Sequence, residues 1–397
     1  MLLLNTASSH GKELDADDVE ALSGEATSRV QRFLSQRPDH KRTALHSLHG
    51  LARGIGVASI HVKDESTRLG LGSFKALGGS YAVVCLVLEE AGRKLGMPVE
   101  IEDLQSKAVR QVAGGMIFGC ATDGNHGKSV AAGAKLVGAR AAIFVHSGVS
   151  EERVAAIAGQ GAEIIRIEGT YDDSVAEAAR ICGERGWTVV SDTSWPGYER
   201  IPRFVMQGYT AMLGEALDQL PERPTHIFVQ AGVGGLAAAV AGYFDARIGE
   251  ERPTLTVVEP ELAACLHESA RQGRPVRVRH GEPTIMAMLE CYEPSLVAWR
   301  ILSRKADAFM TISEDDARET MRRLARPVGG DPVIVAGESG CAGLAGLLRA
   351  ASNEDDRARL GLNTSSRIFV INTEGATDQG RYQAIVGCAP EEVLEPA

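Results

Sequence analysis

Three short segments of the sequence hold residues whose types and spacing can do chemistry. SFKALGG (73–79) places Lys75 ahead of Ala76, Leu77, Gly78 and Gly79, with few anionic residues close to it in sequence. Such surroundings are expected to lower an ammonium pKa by desolvation, and a lysine must be neutral before it can attack a carbonyl carbon and form a Schiff base. The plainer alternative is a lysine at a solvated helix start. ATDGNHG (121–127) sets Asp123, Asn125 and His126 in a turn between an apolar run and a small-residue helix. Asp, Gly and Asn accept unusual backbone angles, and the helix start beyond them offers unpaired N–H donors. QAGVGGLAAAV (230–240) joins another apolar run to another helix. Here the backbone N–H groups of Gly232, Val233, Gly234, Gly235 and Leu236 can enclose a phosphate dianion. No Gly-Lys-Ser/Thr follows, so this is not a P-loop, and Leu236-Ala237 stands where a dinucleotide fingerprint ends in glycine. Each segment alone is weak evidence; an apolar lysine, an Asn turn and a phosphate loop together are strong.

The elements that must position these residues follow from hydrophobic periodicity. Apolar runs at 116–122, 139–145, 163–167 and 187–190 read as strands separated by amphipathic helices, one of them opening SEE at residue 150 with a Ser cap and an acidic first turn. A second series has a helix over 200–219, strands at 225–231, 254–260 and 365–373, and a helix over 314–326. Repeated βαβ units of this kind predict parallel sheets with helices on both faces. The expected fold class is therefore α/β, in two doubly wound lobes.

The bulk properties bound the partners. A chain of 397 residues exceeds one hydrophobic core, which predicts two domains. The formal net charge of -10 argues against a nucleic-acid partner, because phosphate binding needs a basic surface. Seven scattered cysteines form no C-x-x-C pair and no zinc spacing, so no metal site is expected; buried thiols in a reducing compartment are the simpler reading, and only the fold can bring Cys265 and Cys291 together. The N-terminus turns acidic too soon for a signal peptide and no run spans a bilayer, which predicts a cytoplasmic protein with no membrane partner.

SFKALGG, DGNHG, GVGGL and the INTEG strand end together resemble the fold type II pyridoxal-phosphate enzymes, the tryptophan synthase β and threonine dehydratase superfamily. ATDGNHG, YDDSV, DTSWPGYERIPRFVMQGY, QAGVGGLA, TIMA and ESGCAGLAG place the chain nearest the diaminopropionate ammonia-lyase branch, and the resemblance runs from KDESTRLGLGSFKALGG to TEGATD. It implies two parallel-sheet domains with pyridoxal phosphate in the cleft between them: a large one from residues 1–84 and 195–397 and a small one from 85–194. It implies that Lys75 carries the cofactor, Asn125 binds its 3′-oxygen, the 232–236 backbone holds its phosphate, and Thr373, or with less weight Asn372, faces the ring nitrogen. Asp123 and Asp192 match acidic active-site positions, with His126 and Tyr171 beside the substrate. Lys75 would take the Cα proton of an L-substrate and Asp123 that of a D-substrate. For Asp192 a helix cap is a serious competitor. The implied activity is loss of the β-amine from 2,3-diaminopropionate, in a homodimer whose partner is a small amino acid. A serine/threonine-type dehydratase or a β-replacement enzyme is the alternative, and a regulatory nucleotide-binding protein is a more distant one. One departure stands out. Where the branch reads TIMAGLxCGEP, this chain reads TIMAMLECYEPS (284–295), so Met288 and Tyr292 replace glycines and Glu290 adds a charge. Either these side chains reshape a pocket wall, or they lie in a loop outside it.

Overall fold

A computed structural model describes residues 1–122, 124–169 and 171–394, and the side chains of Tyr171 and Asp172 are outside that description, so Asp123 and the Tyr171 side chain are not placed. Among the described residues, eleven strands alternate with helices: β1 (Leu2–Leu4), β2 (Leu45–Ser47), β3 (Ser59–Asp64), β4 (Ile117–Ala121), β5 (Arg140–His146), β6 (Glu163–Ile167), β7 (Thr188–Val189), β8 (His226–Gln230), β9 (Thr254–Pro260), β10 (Ala308–Ile312) and β11 (Arg367–Asn372). They form two sheets, ordered β1-β10-β9-β8-β11-β3-β2 and β6-β5-β4-β7. The four-stranded sheet is parallel throughout. In the seven-stranded sheet β10, β9, β8, β11 and β3 run parallel, while the short edge strands β1 and β2 pair antiparallel. The expected parallel sheets are found, with antiparallel pairing at those two edge strands. An antiparallel neighbour runs back along the strand it pairs with and so needs no right-handed crossover.

The central strands are mostly buried, as sheets covered on both faces require; every residue of β8 and β10 is buried. Strand order reverses between β4 and β7 in one sheet and between β8 and β11 in the other. Such switch points open a crevice at the carboxyl ends of the strands, and both crevices belong to the same cleft.

The helix Lys75–Leu95 ties the two sheets together. It packs on Asn125–Val137 from one series and Arg200–Gln219 from the other. Glycines set the close approach: a Cβ on Gly78 would lie 2.5 Å from the Tyr209 ring, and one on Gly133 would lie 2.7 Å from the Ser80 Cα. The glycines after Lys75 therefore serve helix packing as well as an apolar setting. The Ser129 hydroxyl reinforces the contact, donating to the Ala76 carbonyl (3.1 Å) and accepting from the Ser80 N–H (2.9 Å). Lys75 is thereby anchored at the first turn of a helix whose neighbours on both sides are fixed.

Candidate active site

A cleft lies over the carboxyl ends of β4, β7, β8 and β11. Lys75, Asn125, His126, Asp192, the whole 232–236 turn and Thr373 line it. These residues come from five connections far apart in sequence and meet because each follows a strand at its carboxyl end.

Lys75 Nζ donates to Asp192 Oδ2 at 2.6 Å, with both side chains about four-fifths buried. Burial acts to push the ammonium pKa down, but the Asp192 charge and hydrogen bond outweigh it, so Lys75 is held above the ordinary lysine value. The expectation of a depressed pKa is corrected: the anionic partner lies 117 residues away in sequence, out of sight of local composition. Burial likewise opposes ionisation of Asp192, and the Lys75 charge and hydrogen bond reverse it, leaving that carboxyl below its ordinary range. Asp192 caps no helix; the next one begins at Arg200 and its side chain is committed to Lys75.

His126 is buried, and its Nε2 lies 3.0 Å from the Val190 carbonyl. A carbonyl only accepts, so Nε2 carries the proton and Nδ1 keeps a bare lone pair, which has no partner among the described residues. Burial lowers this imidazole's pKa and keeps it neutral. Asn125 opens the helix Asn125–Val137 and donates from Nδ2 to Glu374 Oε2 at 2.6 Å. The Thr373 hydroxyl accepts from Gln230 Nε2 at 3.0 Å, which leaves its own hydrogen to give. Asn372 turns the other way, donating to Asp64 Oδ1 (2.8 Å) and the Val335 carbonyl (3.2 Å), and does not line the cleft.

The turn 232–236 opens the 14-residue helix Gly235–Ile248. Its ladder begins with the Ala238 N–H on the Gly234 carbonyl, so the N–H groups before Ala238 have no intrahelical acceptor. Gly234 has φ +100°, and a Cβ there would lie 3.1 Å from both Ala298 and Leu266. A Cβ on Gly232 would lie 2.8 Å from Cys291 Sγ. Gly234→Ala is expected to weaken pyridoxal phosphate binding by about tenfold, since an L-residue at positive φ costs about 1–2 kcal/mol and shifts the N–H groups. Cofactor titration followed by visible absorbance, with circular dichroism to verify folding, checks this.

The sequence alone did not single out several lining residues. Tyr209 is buried with its ring 4.8 Å from Phe74. Gln230 sits under Thr373, and Glu374 under Asn125. Glu374 was visible as the acid of INTEG; Tyr209 and Gln230 carried no local signal beyond following a helix period and ending a strand. Met288 and Glu290 do line the cleft, whereas Tyr292 stands behind, its hydroxyl donating to Glu290 Oε1 at 2.8 Å and its ring 3.8 Å from that of His280. Each of the two readings of this segment thus holds for part of it: Met288 and Glu290 stand in the wall, and Tyr292 stands outside. Cys265 and Cys291 are thiols here rather than a disulfide.

The residues fit pyridoxal phosphate. An amine stands in a cleft beside a glycine turn too tight for side chains, and buried polar atoms without partners among the described residues, His126 Nδ1 included, line the same space. Residues 37–373 match the family model for pyridoxal-phosphate dependent enzymes, and the chain belongs to that family. It is 38% identical over 375 residues to diaminopropionate ammonia-lyase of Salmonella typhimurium (strain LT2), covering 92% of this chain and 93% of that one. The diaminopropionate ammonia-lyase of Escherichia coli (strain K12) is equally similar, 38% over 378 residues and 93% of each chain. The crystal structure of the Escherichia coli enzyme in complex with D-serine superposes with a TM-score of 0.87 at 34% identity, over 97% of this chain and 96% of that one. The cofactor is pyridoxal phosphate, and the fold is the type II fold of this class.

Proposed function

We propose that this chain is a carbon–nitrogen lyase that eliminates the β-amine of 2,3-diaminopropionate, or of a closely related β-substituted amino acid, with water completing the conversion to pyruvate and two molecules of ammonia. The observation that carries the reading is the Lys75–Asp192 pair, set in one cleft beside a phosphate-binding helix start. Bound pyridoxal phosphate supplies the electron sink for bond breaking at Cα.

The chain's own groups supply placement and proton transfer. The 232–236 N–H groups and the Gly235–Ile248 helix dipole would hold the phosphate dianion, and Lys75 Nζ is the amine that would hold the cofactor's aldehyde carbon. Asn125 faces the 3′-oxygen. Thr373, with its hydroxyl hydrogen spare, offers the ring nitrogen a neutral donor and leaves it without a formal positive charge. Lys75 Nζ takes the Cα proton of an L-substrate, and Asp192 steadies the ammonium that results. Asp192 also suits the second ammonium of a diamino acid, which a serine-type substrate lacks. Asp123, outside the described residues, is assigned the Cα proton of a D-substrate, with His126 and Tyr171 beside the substrate.

No described helix is long and apolar enough to cross a membrane. A cytoplasmic homodimer, built from a large lobe of 1–84 and 195–397 and a small lobe of 85–194, completes this reading. Commonness favours the symmetric dimer, and buried thiols favour a reducing compartment.

The direct test is release of pyruvate and ammonia by the purified holoenzyme from D- and L-diaminopropionate, serine and threonine. Pyruvate from serine but not from diaminopropionate would overturn the assignment in favour of a dehydratase. The wall provides a finer prediction. Glu290→Gln is expected to raise KM for diaminopropionate about two- to fivefold, the scale of a partly exposed charge pair, and to leave KM for serine unchanged. Parallel kinetics on the two substrates measure the difference.

A further inference from the structure

Beneath Asn125 lies a buried carboxyl that the chemistry above does not use. Glu374 is 2% exposed, lines the cleft, and accepts from Asn125 Nδ2 through Oε2 at 2.6 Å. The Thr377 hydroxyl donates to the same oxygen at 3.2 Å. The other oxygen, Oε1, has no hydrogen-bond partner among the described residues, and a Cβ built on Gly337 would lie 3.3 Å from it. A second buried carboxyl, Glu338, stands nearby and is 3.3 Å from Arg381 Nη1. An unpartnered carboxylate oxygen beside a like charge is a costly arrangement unless a proton is bound there.

We propose that Glu374 is a positioning residue acting through Asn125: it fixes the orientation of the amide and, by gaining or losing a proton beside Glu338, sets how strongly the amide holds the cofactor's 3′-oxygen. The inference rests on the assignment of Asn125 to that oxygen. An amide nitrogen has two hydrogens. Glu374 takes one, which determines that nitrogen and not oxygen occupies this side of the side chain and leaves the second hydrogen for the cleft. An ionised Glu374 binds the amide by a charge-assisted bond but also adds negative charge near a cofactor oxygen that itself carries negative charge. A protonated Glu374 removes that repulsion.

The groups around Glu374 place this exchange in the working range. Burial first and the Glu338 charge second push its pKa up to about 7, against the Asn125 and Thr377 hydrogen bonds and the Arg153 charge. Lys128 on the Asn125–Val137 helix and the Cys341 thiol also face it, while Arg381 and Asp378 act through Glu338. The stability sign is fixed by the direction of the shift. The native state binds this proton up to about pH 7 and an ordinary glutamate releases it near 4.5, so the native chain loses stability as pH rises through that window.

The test uses wild-type holoenzyme, Glu374→Gln, Glu374→Asp and Thr377→Ala. The absorbance of the bound cofactor is followed from about pH 5 to 9, together with the cofactor dissociation constant and thermal midpoint at each pH. Wild type should show a spectral step near pH 7; Glu374→Gln should lose it and Glu374→Asp should restore one. Thr377→Ala, which only removes a bond favouring the ionised form, should move the step upward. The thermal midpoint of Glu374→Gln should rise relative to wild type as pH increases from 5 to 8. If Glu374→Gln keeps the wild-type step and the wild-type dissociation constant, the proposal is overturned; where that variant does not fold, an unmoved step in Thr377→Ala overturns it. A wild-type chain that takes up no pyridoxal phosphate would overturn instead the functional reading beneath it.

Discussion

Lys75→Ala is expected to yield a folded protein that binds pyridoxal phosphate weakly, lacks the absorption band of a covalently held cofactor, and turns over about 10³- to 10⁴-fold more slowly, the scale for loss of a positioned acid–base group. Folding should survive because residue 75 begins a helix whose anchorage comes from elsewhere, through Gly78, Gly79 and the Ser129 hydroxyl, and alanine is a good helix former. What the change leaves behind is the Asp192 carboxylate without its cation. That charge keeps about one-sixth of its side-chain surface exposed, so the cost falls below the roughly 3–5 kcal/mol seen for fully buried orphaned charges. Absorbance, borohydride trapping followed by peptide mapping, and pyruvate release measure the three effects. An unchanged band, or trapping at another lysine, would remove Lys75 from the mechanism.

Asp192→Asn has the second largest expected effect, and its components point in opposite directions. The amide keeps a hydrogen-bonding group beside Lys75 Nζ but removes the charge, so burial acts on the lysine unopposed and its pKa falls. A lysine neutral at lower pH attacks an aldehyde sooner, and the apo-protein should load cofactor faster near neutrality than wild type does. Turnover should nevertheless fall about 10²- to 10³-fold, because the ammonium formed on Cα deprotonation has lost its counter-charge and the β-ammonium its subsite. The stability signs are opposite for the two partners. The raised lysine pKa contributes stability that is complete below its ordinary 10.5 and disappears as pH rises through the folded value; the lowered aspartate pKa contributes stability that is complete above its ordinary 3.8 and disappears as pH falls through the folded one. Between those limits the wild-type pair is intact, whereas the lowered lysine pKa of Asp192→Asn makes its deficit largest below that folded value and smaller as pH rises from there towards 10.5. Stopped-flow loading against pH, with denaturation at matched pH values, tests both halves. Slower loading together with slower turnover would show that Asp192 serves only to place the lysine.

Most of the architecture could be read from periodicity. The strands at 163–167 and 254–260 and the helix at 200–219 lie where their patterns put them, and Ser150 caps its helix by accepting from the Arg153 N–H. The strands that went unread were β1, β2, β3 and β10. β1 and β2 have three residues each, too few for a period to show, and they owe their conformation to the neighbours they pair with. The site was legible where its residues carry backbone signals. Glycine at 232, 234 and 235 and the Asn turn are recognisable because few other residues accept those conformations or leave room for a ligand. Tyr209 and Gln230 were not legible as site residues, since a buried tyrosine and a strand-end glutamine are ordinary in their local settings; Glu374 was in view only as the acid of INTEG, with no role attached to it.

The sequence by itself determined a two-sheet α/β chain, a reactive lysine candidate and a phosphate-binding turn, because periodicity and glycine placement are local properties of the backbone. Only the tertiary structure decided the electrostatics of that lysine. Asp192 meets it across 117 residues, and the partnership reverses the sign of the shift that neighbouring residues predict. The same holds for Asn125 on Glu374 and for Glu290 on the cleft wall: an ionic or polar interaction decays within a few ångströms and depends on which groups the fold brings that close.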